Sequence, residues 1–268
     1  MILLFDIGNT HTHLGMANGN RVVRQGNIPT PAWFSGEAAR LVKRFVGSDR
    51  PQSAALCSVV PYATPLAEQA AARFCDSEPF VLTHRNVLGI GIDYPKPETI
   101  GPDRLANAVA LRRRFGAPAV AVDFGTAVTF DVVDRRGNWV GGVIAPGIAL
   151  MTDYLHEKTA LLPKVHIRPV SNVIARSTEE AMLVGAVLGY RGLVREVLGE
   201  LRRALEAPNL PVVATGGYAE LIAAQLPEIA VVDQFLTLEG LRLAWAAQAG
   251  DAAQRRKDAD GGPWVPQV

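Results

Sequence analysis

Residues 3–28 read LLFDIGNTHTHLGMANGNRVVRQGNI, and residues 120–144 read VAVDFGTAVTFDVVDRRGNWVGGVI, a second version of the same pattern. In each copy an apolar strand ends in an acid, and a glycine follows two residues later. A second strand, a polar turn and a third strand come next. Each copy therefore predicts a β-meander, and the repeat predicts two related domains that face each other across a cleft. The aligned pairs are Asp6 with Asp123, Gly8 with Gly125, and Thr12 with Thr129.

The rest of the chain alternates between strand-like and helix-like patterns. Apolar residues recur with helical spacing over residues 35–46, where Ser35 is the expected N-cap, and further strands and helices are expected up to residue 247. Meanders combined with strand–helix units predict a mixed α/β fold. We expect domains at residues 1–117 and 118–250, followed by a loosely ordered, flexible tail at residues 251–268, which are polar and interrupted by Gly and Pro.

The composition is that of a globular protein without a strong net charge. The chain has 268 residues, 49% of them hydrophobic and 20% charged, and its formal net charge is +1. This balance argues against nucleic acid or a membrane as partner, and no apolar run is long enough to span a bilayer. Cys57 and Cys75 do not have the spacing of a metal site, so they are expected to be buried free thiols in a reducing cytoplasm. His11 and His13 share a strand face but have no third ligand nearby, so a metal site is not expected between them.

The turn after the first strand has two interpretations. Asp, Gly and Asn are turn formers, so the stretch DIGNT suits a plain hairpin. It also suits a phosphate and its metal, because Asp6 can hold Mg²⁺ directly or through water and Gly8 lets the backbone approach closely. The second acid, Asp123, favours the phosphate interpretation. The polar side chains available to a phosphate are Asn9, Thr10 and Thr12.

The stretch ETIGPDRLANAVALRRRF, residues 98–115, predicts a helix with a polar start. Gly101 suits the N-cap and Pro102 the first helical position. The helix dipole favours Asp103 in the first turn, whereas the cation Arg104 is favourable there only if an anion binds beside it. Asp103 either stabilises the helix end alone or also accepts a proton from a substrate hydroxyl. The dipole and Arg104 are expected to keep Asp103 ionised near neutral pH.

Two further stretches indicate contacts. The sequence TGG at residues 215–217 follows a strand, and it suits either an adenine ring lying against the backbone or a simple strand-to-helix turn. Ser177 and Glu180 form a capping box, which predicts a helix start beside Thr178. Gly185 and Gly189 then lie four residues apart on one face of this helix. Because glycine weakens a helix, this spacing predicts the close approach of another helix, including one from a partner subunit.

Together, the motifs DIGNT, GPDR, DFGTAVTFD with GGVIAPG, STEEA and TGGYAE resemble those of type III pantothenate kinases in order and spacing. The resemblance covers about residues 1–247, and the tail has no counterpart. It implies duplicated ribonuclease-H-like domains, as in the actin-like ATPases, with a cleft between them. It also implies a homodimer that uses ATP, Mg²⁺ and a monovalent cation, K⁺ or NH₄⁺. The implied reaction phosphorylates pantothenate to 4′-phosphopantothenate, the first step of coenzyme A biosynthesis.

The resemblance implies roles for individual residues as well. Asp103 is the implied catalytic base, Asp6 is oriented to Mg²⁺, and Asp123 is a ligand of the monovalent cation. The residues implied for ATP and its phosphates are Asp6, Ile7, Gly8, Asn9, Thr10, His11, Thr12, His13 and Thr126. The residues implied for pantothenate are Tyr94, Gly101, Pro102, Asp103, Arg104 and Thr178.

Two other functions stay open at this point. A kinase of the same fold could act on a different small hydroxy acid or on a sugar. The chain could also be a regulatory accessory factor that binds ATP without useful turnover. The second alternative is weakened by the presence of Asp6, Asp103, Arg104 and Asp123, because a protein that only binds nucleotide has no need of a base. ATP consumption with and without pantothenate separates these functions.

Overall fold

Eleven strands form two sheets in the part of the chain that the computed structural model describes, which is residues 1–75 and 77–260, with backbone only for residues 252–260. The strands β1 to β11 are Ile2–Ile7, His11–Ala17, Val22–Pro29, Ser53–Ser58, Phe80–Val81, Gly91–Ile92, Ala119–Phe124, Ala127–Val133, Asn138–Pro146, Val212–Thr215 and Val231–Val232. The helices α1 to α8 are Ala32–Ser35, Ala38–Val46, Thr64–Ala71, Pro102–Phe115, Ile148–Lys158, Thr178–Ala204, Ala219–Ala223 and Leu236–Asp260.

The two sheets repeat one topology. The first has the order β3-β2-β1-β4-β5, and the second has the order β11-β10-β7-β8-β9-β6. In each, three consecutive strands form an antiparallel meander, and a later strand adds in parallel beside the first: β4 beside β1, and β10 beside β7. The predicted meanders and the mixed α/β class are confirmed, and the repeated topology is that of a duplicated ribonuclease-H-like fold.

The register of the two meanders corrects one aligned pair. Asp6 lies opposite His13 in the first hairpin, whereas Asp123 lies opposite Thr129 in the second. The structural counterpart of Thr129 is therefore His13 and not Thr12. The cause is the turn, because the amide of Gly8 bonds the carbonyl three residues on, whereas the amide of Gly125 bonds the carbonyl only two residues on. An alignment without a gap cannot detect this difference of one residue.

Helices α4 and α8 lie between the two sheets. One hydrophobic cluster joins residues of both sheets and both helices, among them Leu4, Ala106, Ala121 and Leu241. The helices cross closely, because a Cβ at Gly240 would overlap the backbone carbonyl of Ala106. The two helices therefore join the sheets through one core, and the candidate site lies at the ends of β1 and β7 beside the start of α4.

One local expectation about a helix is corrected. Ser35 does not cap the second helix, because it ends α1 and is followed by Gly36 with a left-handed φ of 79°; α2 begins at Ala38. Helix α8 extends to Asp260, and the loose order expected of residues 251–268 stays a prediction. Residues 251–260 read DAAQRRKDAD, without a Gly or Pro to interrupt a helix. The remainder of the expected flexible tail, residues 261–268, lies outside the described residues.

The expected domain boundary at residues 117 and 118 stays a prediction. Strand β6 precedes this boundary in the chain but pairs with β9 of the second sheet. Helix α8 follows the boundary but packs against β1 and β4 of the first sheet. Among the residues described, no helix combines the length and apolar character that crossing a membrane requires.

Candidate active site

Two acidic turns face each other where the first strands of the meanders end. Asp6 is near the end of β1 and Asp123 near the end of β7, and each is followed by a glycine-containing turn. The hydroxyl oxygens of Thr10 and Thr126, one from each turn, are 2.9 Å apart. This contact joins residues from the two copies of the repeat, so the two turns border one cleft.

The first turn presents only part of its side chains to that cleft. Asn9, Thr10 and His11 are exposed, whereas Ile7 and Thr12 are buried. The Thr12 hydroxyl accepts a hydrogen bond from the indole of Trp33 at 2.9 Å. Residues 8–11 with their backbone amides are therefore the part of the expected phosphate loop that a ligand can reach, and Thr12 supports the loop from beneath.

Thr30 is a support of this loop that the sequence did not indicate. Its hydroxyl donates to the carbonyl of Gly8 at 2.6 Å and lies 3.1 Å from the Thr12 hydroxyl. Its backbone amide donates to the carbonyl of Thr10 at 3.0 Å. Contacts between a loop and a residue just after the third strand leave no local pattern in the sequence.

Asp6 is set among groups that act on its charge. Burial raises the pKa of Asp6, and the neighbouring His13 ring and a hydrogen bond from the Cys57 thiol oppose that rise. The Cys57 sulfur lies 3.5 Å from Oδ1 of Asp6, on the adjacent parallel strand β4. His13 is oriented by Asn27, whose Oδ1 is 2.7 Å from the imidazole Nδ1. His13 therefore lies beside Asp6, the acid that the sequence analysis assigns to Mg²⁺.

Asp103 lies in the first turn of α4, as predicted. Gly101 is the N-cap and Pro102 the first helical residue, and a Cβ at Gly101 would overlap the Asp103 carboxylate. The Asp103 carboxylate accepts a hydrogen bond from the backbone amide of Arg104 at 2.9 Å. These contacts fix the carboxylate at the helix N-terminus, close to the acidic turns.

The expectation that Asp103 is firmly ionised near neutral pH is wrong. Burial and the charges of Asp6 and Asp131 together raise the pKa of Asp103 to about 7, and the hydrogen bond and charge of Arg104 offset only part of this rise. The earlier argument considered only the helix dipole and Arg104, which are local in the sequence. The carboxylate instead changes its charge close to neutral pH, where a general base is most effective.

The anion expected beside Arg104 is part of the chain itself. The guanidinium Nε of Arg104 donates to Oδ1 of Asp131 at 2.6 Å, and the Asp131 side chain is fully buried. Tyr94 belongs to the same group of side chains, since its ring meets the Trp139 ring edge-on at a centroid distance of 5.1 Å. The unfavourable cation at the helix start is therefore compensated by a resident carboxylate, which the sequence analysis did not single out.

Asp123 is surrounded by other acids. Burial and three neighbouring carboxylates raise its pKa to about 7. The backbone of Gly216 packs closely against the Asp123 side chain, because a Cβ at this glycine would lie 2.5 Å from Oδ1 of Asp123. Close packing against Asp123 therefore requires glycine at position 216, the first glycine of TGG. A Cβ at the second, Gly217, would meet no described atom within 4 Å, so this position still has room for an adenine ring. The carboxylates that act on Asp123 are Asp6, Asp103 and Asp131.

The acidic cluster, defined as Asp6, Asp103, Asp123 and Asp131, suits a cation that arrives with a phosphate ligand. Mutual repulsion contributes to the raised pKa of both Asp103 and Asp123, and a bound cation relieves such repulsion. Yet no three acidic, His or Cys side chains of the described residues are arranged to hold a metal by themselves. Mg²⁺ commonly takes one or two carboxylates and completes its shell with water and substrate phosphates. The donor set fits that mode of binding.

Thr178 lies at a different place, at the exposed start of α6. The predicted helix start is confirmed, since Ser177 Oγ accepts from the Glu180 amide at 3.2 Å. The Glu180 carboxylate accepts from the amide of Arg176 at 2.8 Å and not from that of Ser177, so the reciprocal bond of a capping box is displaced by one residue. Gly185 and Gly189 are exposed, and a Cβ on either would meet nothing within 4 Å. An apolar groove of about 340 Å³ runs between α5 and α6 beside them. Its lining residues are Met151, Thr152, Leu155, Leu162, Thr178, Ala181, Met182, Gly185 and Ala186.

A duplicated ribonuclease-H-like fold with two acidic strand-end turns facing one cleft defines a phosphotransferase of the actin-like ATPase class. The family model for type III pantothenate kinase matches residues 2–200. The chain belongs to the type III pantothenate kinase family, and as a member of a kinase family it uses ATP and a divalent metal ion.

Similar proteins agree with this assignment. The chain is 46% identical over 244 residues to the type III pantothenate kinase of Methylacidiphilum infernorum, covering 90% of this chain and 87% of that protein. It is 45% identical over 242 residues to the enzyme of the same name from Akkermansia muciniphila, covering 90% and 97%. The Geobacter sulfurreducens protein of that name is 37% identical over 252 residues, covering 91% and 98%.

Solved structures support the fold alone. A Baf family protein from Campylobacter jejuni, described as a transcriptional activator, superposes with a TM-score of 0.58 at 16% identity, covering 93% of this chain and 99% of that one. Component A of the (R)-2-hydroxyglutaryl-CoA dehydratase of Acidaminococcus fermentans superposes with a TM-score of 0.51 at 13% identity, covering 94% and 98%. At these identities the similarity concerns architecture and carries no function to this chain.

Proposed function

We propose that this chain transfers the γ-phosphoryl group of ATP to the hydroxyl of pantothenate, giving 4′-phosphopantothenate and ADP, in the first step of coenzyme A biosynthesis. Family membership supports the substrates, and one feature of the site supports the chemistry: the Asp103 carboxylate, with a pKa of about 7, shares a cleft with two acidic turns. Phosphoryl transfer needs alignment and charge neutralisation more than covalent help from the protein. Facing turns and a nearby base suit those needs.

ATP is proposed to bind with its phosphates against the turns. The exposed backbone and side chains of residues 8–11 and the Thr126 hydroxyl support this orientation. Asp6 would hold the divalent metal through water, and the metal would supply charge neutralisation at the phosphates. Ile7 and Thr12 are buried, so we propose that they shape the loop and do not touch the nucleotide. His13 is proposed to lie beside the phosphates, since it faces Asp6 across the hairpin.

Asp103 is proposed as the general base. Its carboxylate accepts the proton of the pantothenate hydroxyl, whose oxygen then attacks the γ-phosphorus as the bond to the leaving ADP oxygen breaks. Gly101 and Pro102 set the helix start that orients Asp103, and the exposed ring of Tyr94 and the Arg104 guanidinium are proposed to contact pantothenate. A base with a pKa near 7 is ionised in a substantial fraction of molecules at neutral pH.

Asp123 is proposed to bind the monovalent cation, K⁺ or NH₄⁺. A carboxylate substrate beside a carboxylate side chain is a repulsive pair, and a cation between them turns repulsion into a bridge. We further propose a homodimer in which Thr178 approaches the pantothenate of the partner subunit. The exposed glycine face of α6 and the apolar groove beside it support that contact. The cytoplasm stays the predicted location.

The test is ATP consumption by the purified chain with pantothenate, without it, and with a panel of small hydroxy acids and sugars. We expect consumption that depends on pantothenate. Asp103→Asn keeps the size of the side chain but cannot accept the proton, so it should lower kcat on the order of 100-fold or more. ATP binding, measured by calorimetry, should change little. Preference for another acceptor would refute the substrate, and near-normal turnover of the variant would remove Asp103 from the mechanism.

A further inference from the structure

Asp131 is a buried acid that the proposed mechanism does not use. It lies on β8, opposite Ala121 of β7 and Gly142 of β9, and its side chain is fully buried. A buried carboxylate is costly unless hydrogen bonds satisfy it. Here both oxygens are satisfied. Oδ1 accepts from Arg104 Nε at 2.6 Å and from the Trp139 indole at 3.2 Å, and Oδ2 accepts from Asn107 Nδ2 at 3.2 Å.

These bonds immobilise Arg104. Besides its bond to Asp131, the guanidinium donates through Nη2 to the carbonyl of Phe130 at 2.8 Å, and its central carbon lies 5.2 Å from the centre of the Trp139 ring. The remaining nitrogen, Nη1, makes no hydrogen bond to any residue that the structure describes, and the side chain is 13% exposed. Two of three nitrogens are therefore anchored in the protein, and one is left to donate to a ligand.

The backbone leaves room for this arrangement. A Cβ at Gly142 would overlap the Phe130 carbonyl and lie 2.9 Å from Arg104 Nη2. The guanidinium can therefore reach the carbonyl of one strand only because the neighbouring strand has a glycine at this point. Asn107 extends the network to the last helix, since its Oδ1 accepts from the Thr237 hydroxyl at 2.8 Å. The anchor thus draws on α4, β8, β9 and α8.

The Asp131 carboxylate also positions two aromatic side chains, Trp139 and Tyr94. Its bond to the Trp139 indole holds a ring that Tyr94 also contacts, with 5.1 Å between the ring centroids and 69° between the ring planes. Arg104 and Tyr94 are the two side chains proposed to contact pantothenate, and both rest on Trp139. A single buried acid therefore controls the orientation of an arginine directly and of a tyrosine through one tryptophan.

We propose that Asp131 is a positioning residue for pantothenate, which holds Arg104 and, through Trp139, Tyr94 in the geometry that receives the substrate. The proposal rests on the proposed function. It predicts that loss of the Asp131 acceptor affects pantothenate more than ATP, because the residues anchored by Asp131 lie on the acceptor side of the cleft. It also predicts that most of the effect passes through Arg104 and is much smaller when Arg104 is absent, since only the route through Trp139 to Tyr94 then remains.

The experiment measures KM for both substrates in Asp131→Ala, Asp131→Asn, Arg104→Ala and the Arg104→Ala/Asp131→Ala double variant. Asp131→Ala should raise the KM for pantothenate on the order of 10-fold or more and leave the KM for ATP within about twofold, since the lost charged hydrogen bond holds Arg104, which is proposed to contact pantothenate and not ATP. Asp131→Asn should recover most of the affinity, because its remaining oxygen can accept from both Arg104 and Trp139. The double variant should have a KM for pantothenate only slightly above that of Arg104→Ala, because Asp131 then acts only through Trp139 and Tyr94.

The controls separate positioning from folding. Asp49→Ala removes an exposed ion pair with Arg24 and should change neither KM. Additive losses in the double variant, or equal rises in both KM values, would overturn the positioning role. If Asp131→Ala does not fold, the comparison of Arg104→Ala with the double variant decides, because the double variant leaves no unpaired buried charge. A wild-type chain that consumes no ATP with pantothenate refutes the proposed function instead, and an active wild type with unaffected variants refutes this inference alone.

Discussion

Replacing Gly216 by alanine should damage both the fold and the candidate cation site. Gly216 follows β10 and has a φ of 91°, which residues with a side chain rarely adopt. A Cβ there would lie 2.5 Å from Oδ1 of Asp123 and 2.7 Å from the backbone nitrogen of Phe124. The first neighbour is a buried carboxylate and the second is strand backbone, so neither can move away easily.

The expected loss of stability follows from these two effects. A left-handed backbone costs a residue with a Cβ roughly 1–2 kcal/mol, and overpacking of a dense region costs about 1–3 kcal/mol. Their sum is about 2–5 kcal/mol, which corresponds to a fall in Tm of roughly 4–20 °C for a chain of this size. The side chain of Asp123 must also shift, so the activity should fall with the stability if Asp123 holds the proposed monovalent cation.

The matched control is Gly217→Ala. A Cβ at Gly217 would meet nothing within 4 Å, and this residue is exposed. Thermal unfolding followed by circular dichroism should give a Tm close to that of the wild type for this variant and a clear fall for Gly216→Ala. Equal Tm values for the two variants would show that the close packing around Asp123 does not constrain residue 216.

Three further predictions concern the reaction and the assembly. Because burial raises the pKa of Asp103 to about 7, kcat/KM for pantothenate should rise with pH as the carboxylate forms and level off above that pKa. A bound cation should lower the pH at which half of the rise is reached. A flat profile of kcat/KM from pH 5 to about 8 would exclude Asp103 as the base. Activity should be higher in K⁺ or NH₄⁺ than in Na⁺ alone, and equal rates in all three salts would remove the cation bridge at Asp123. Gly185→Leu should fill the open face of α6 and weaken dimerisation and activity together, as measured by sedimentation and steady-state assay; a fully dimeric, fully active variant would contradict the interface.

Local patterns in the sequence were sufficient for the elements that form the site. The Asp-x-Gly turns follow from an apolar strand interrupted by an acid and a glycine, and the start of α4 follows from Gly101 and Pro102. Both depend on neighbours in the chain. The repeat then indicated that Asp6 and Asp123 belong to equivalent places in two sheets, and the topology of the two sheets bears this out.

What the sequence could not provide depends on residues far apart in the chain. The pKa of Asp103 is dominated by burial and by Asp6, which is distant in sequence, whereas the local argument considered only the dipole and Arg104. Asp131 shows the same difficulty, since its partners come from α4 and β9 and form no spaced motif. A turn shorter by one residue likewise moved the counterpart of Thr129 from Thr12 to His13.

The return of α8 to the first sheet has a consequence for how the protein is made on the ribosome. Leu236, Leu238 and Leu241 of this helix share a core with Ile2 and Leu4 of the first strand. A chain synthesised from its N-terminus therefore completes the first sheet long before the helix that covers one of its faces exists. That apolar face must stay exposed, or be shielded by other factors, until the last described helix emerges. Slow translation of the second half should accordingly increase aggregation of the nascent chain, even though that half contributes no strand to the first sheet.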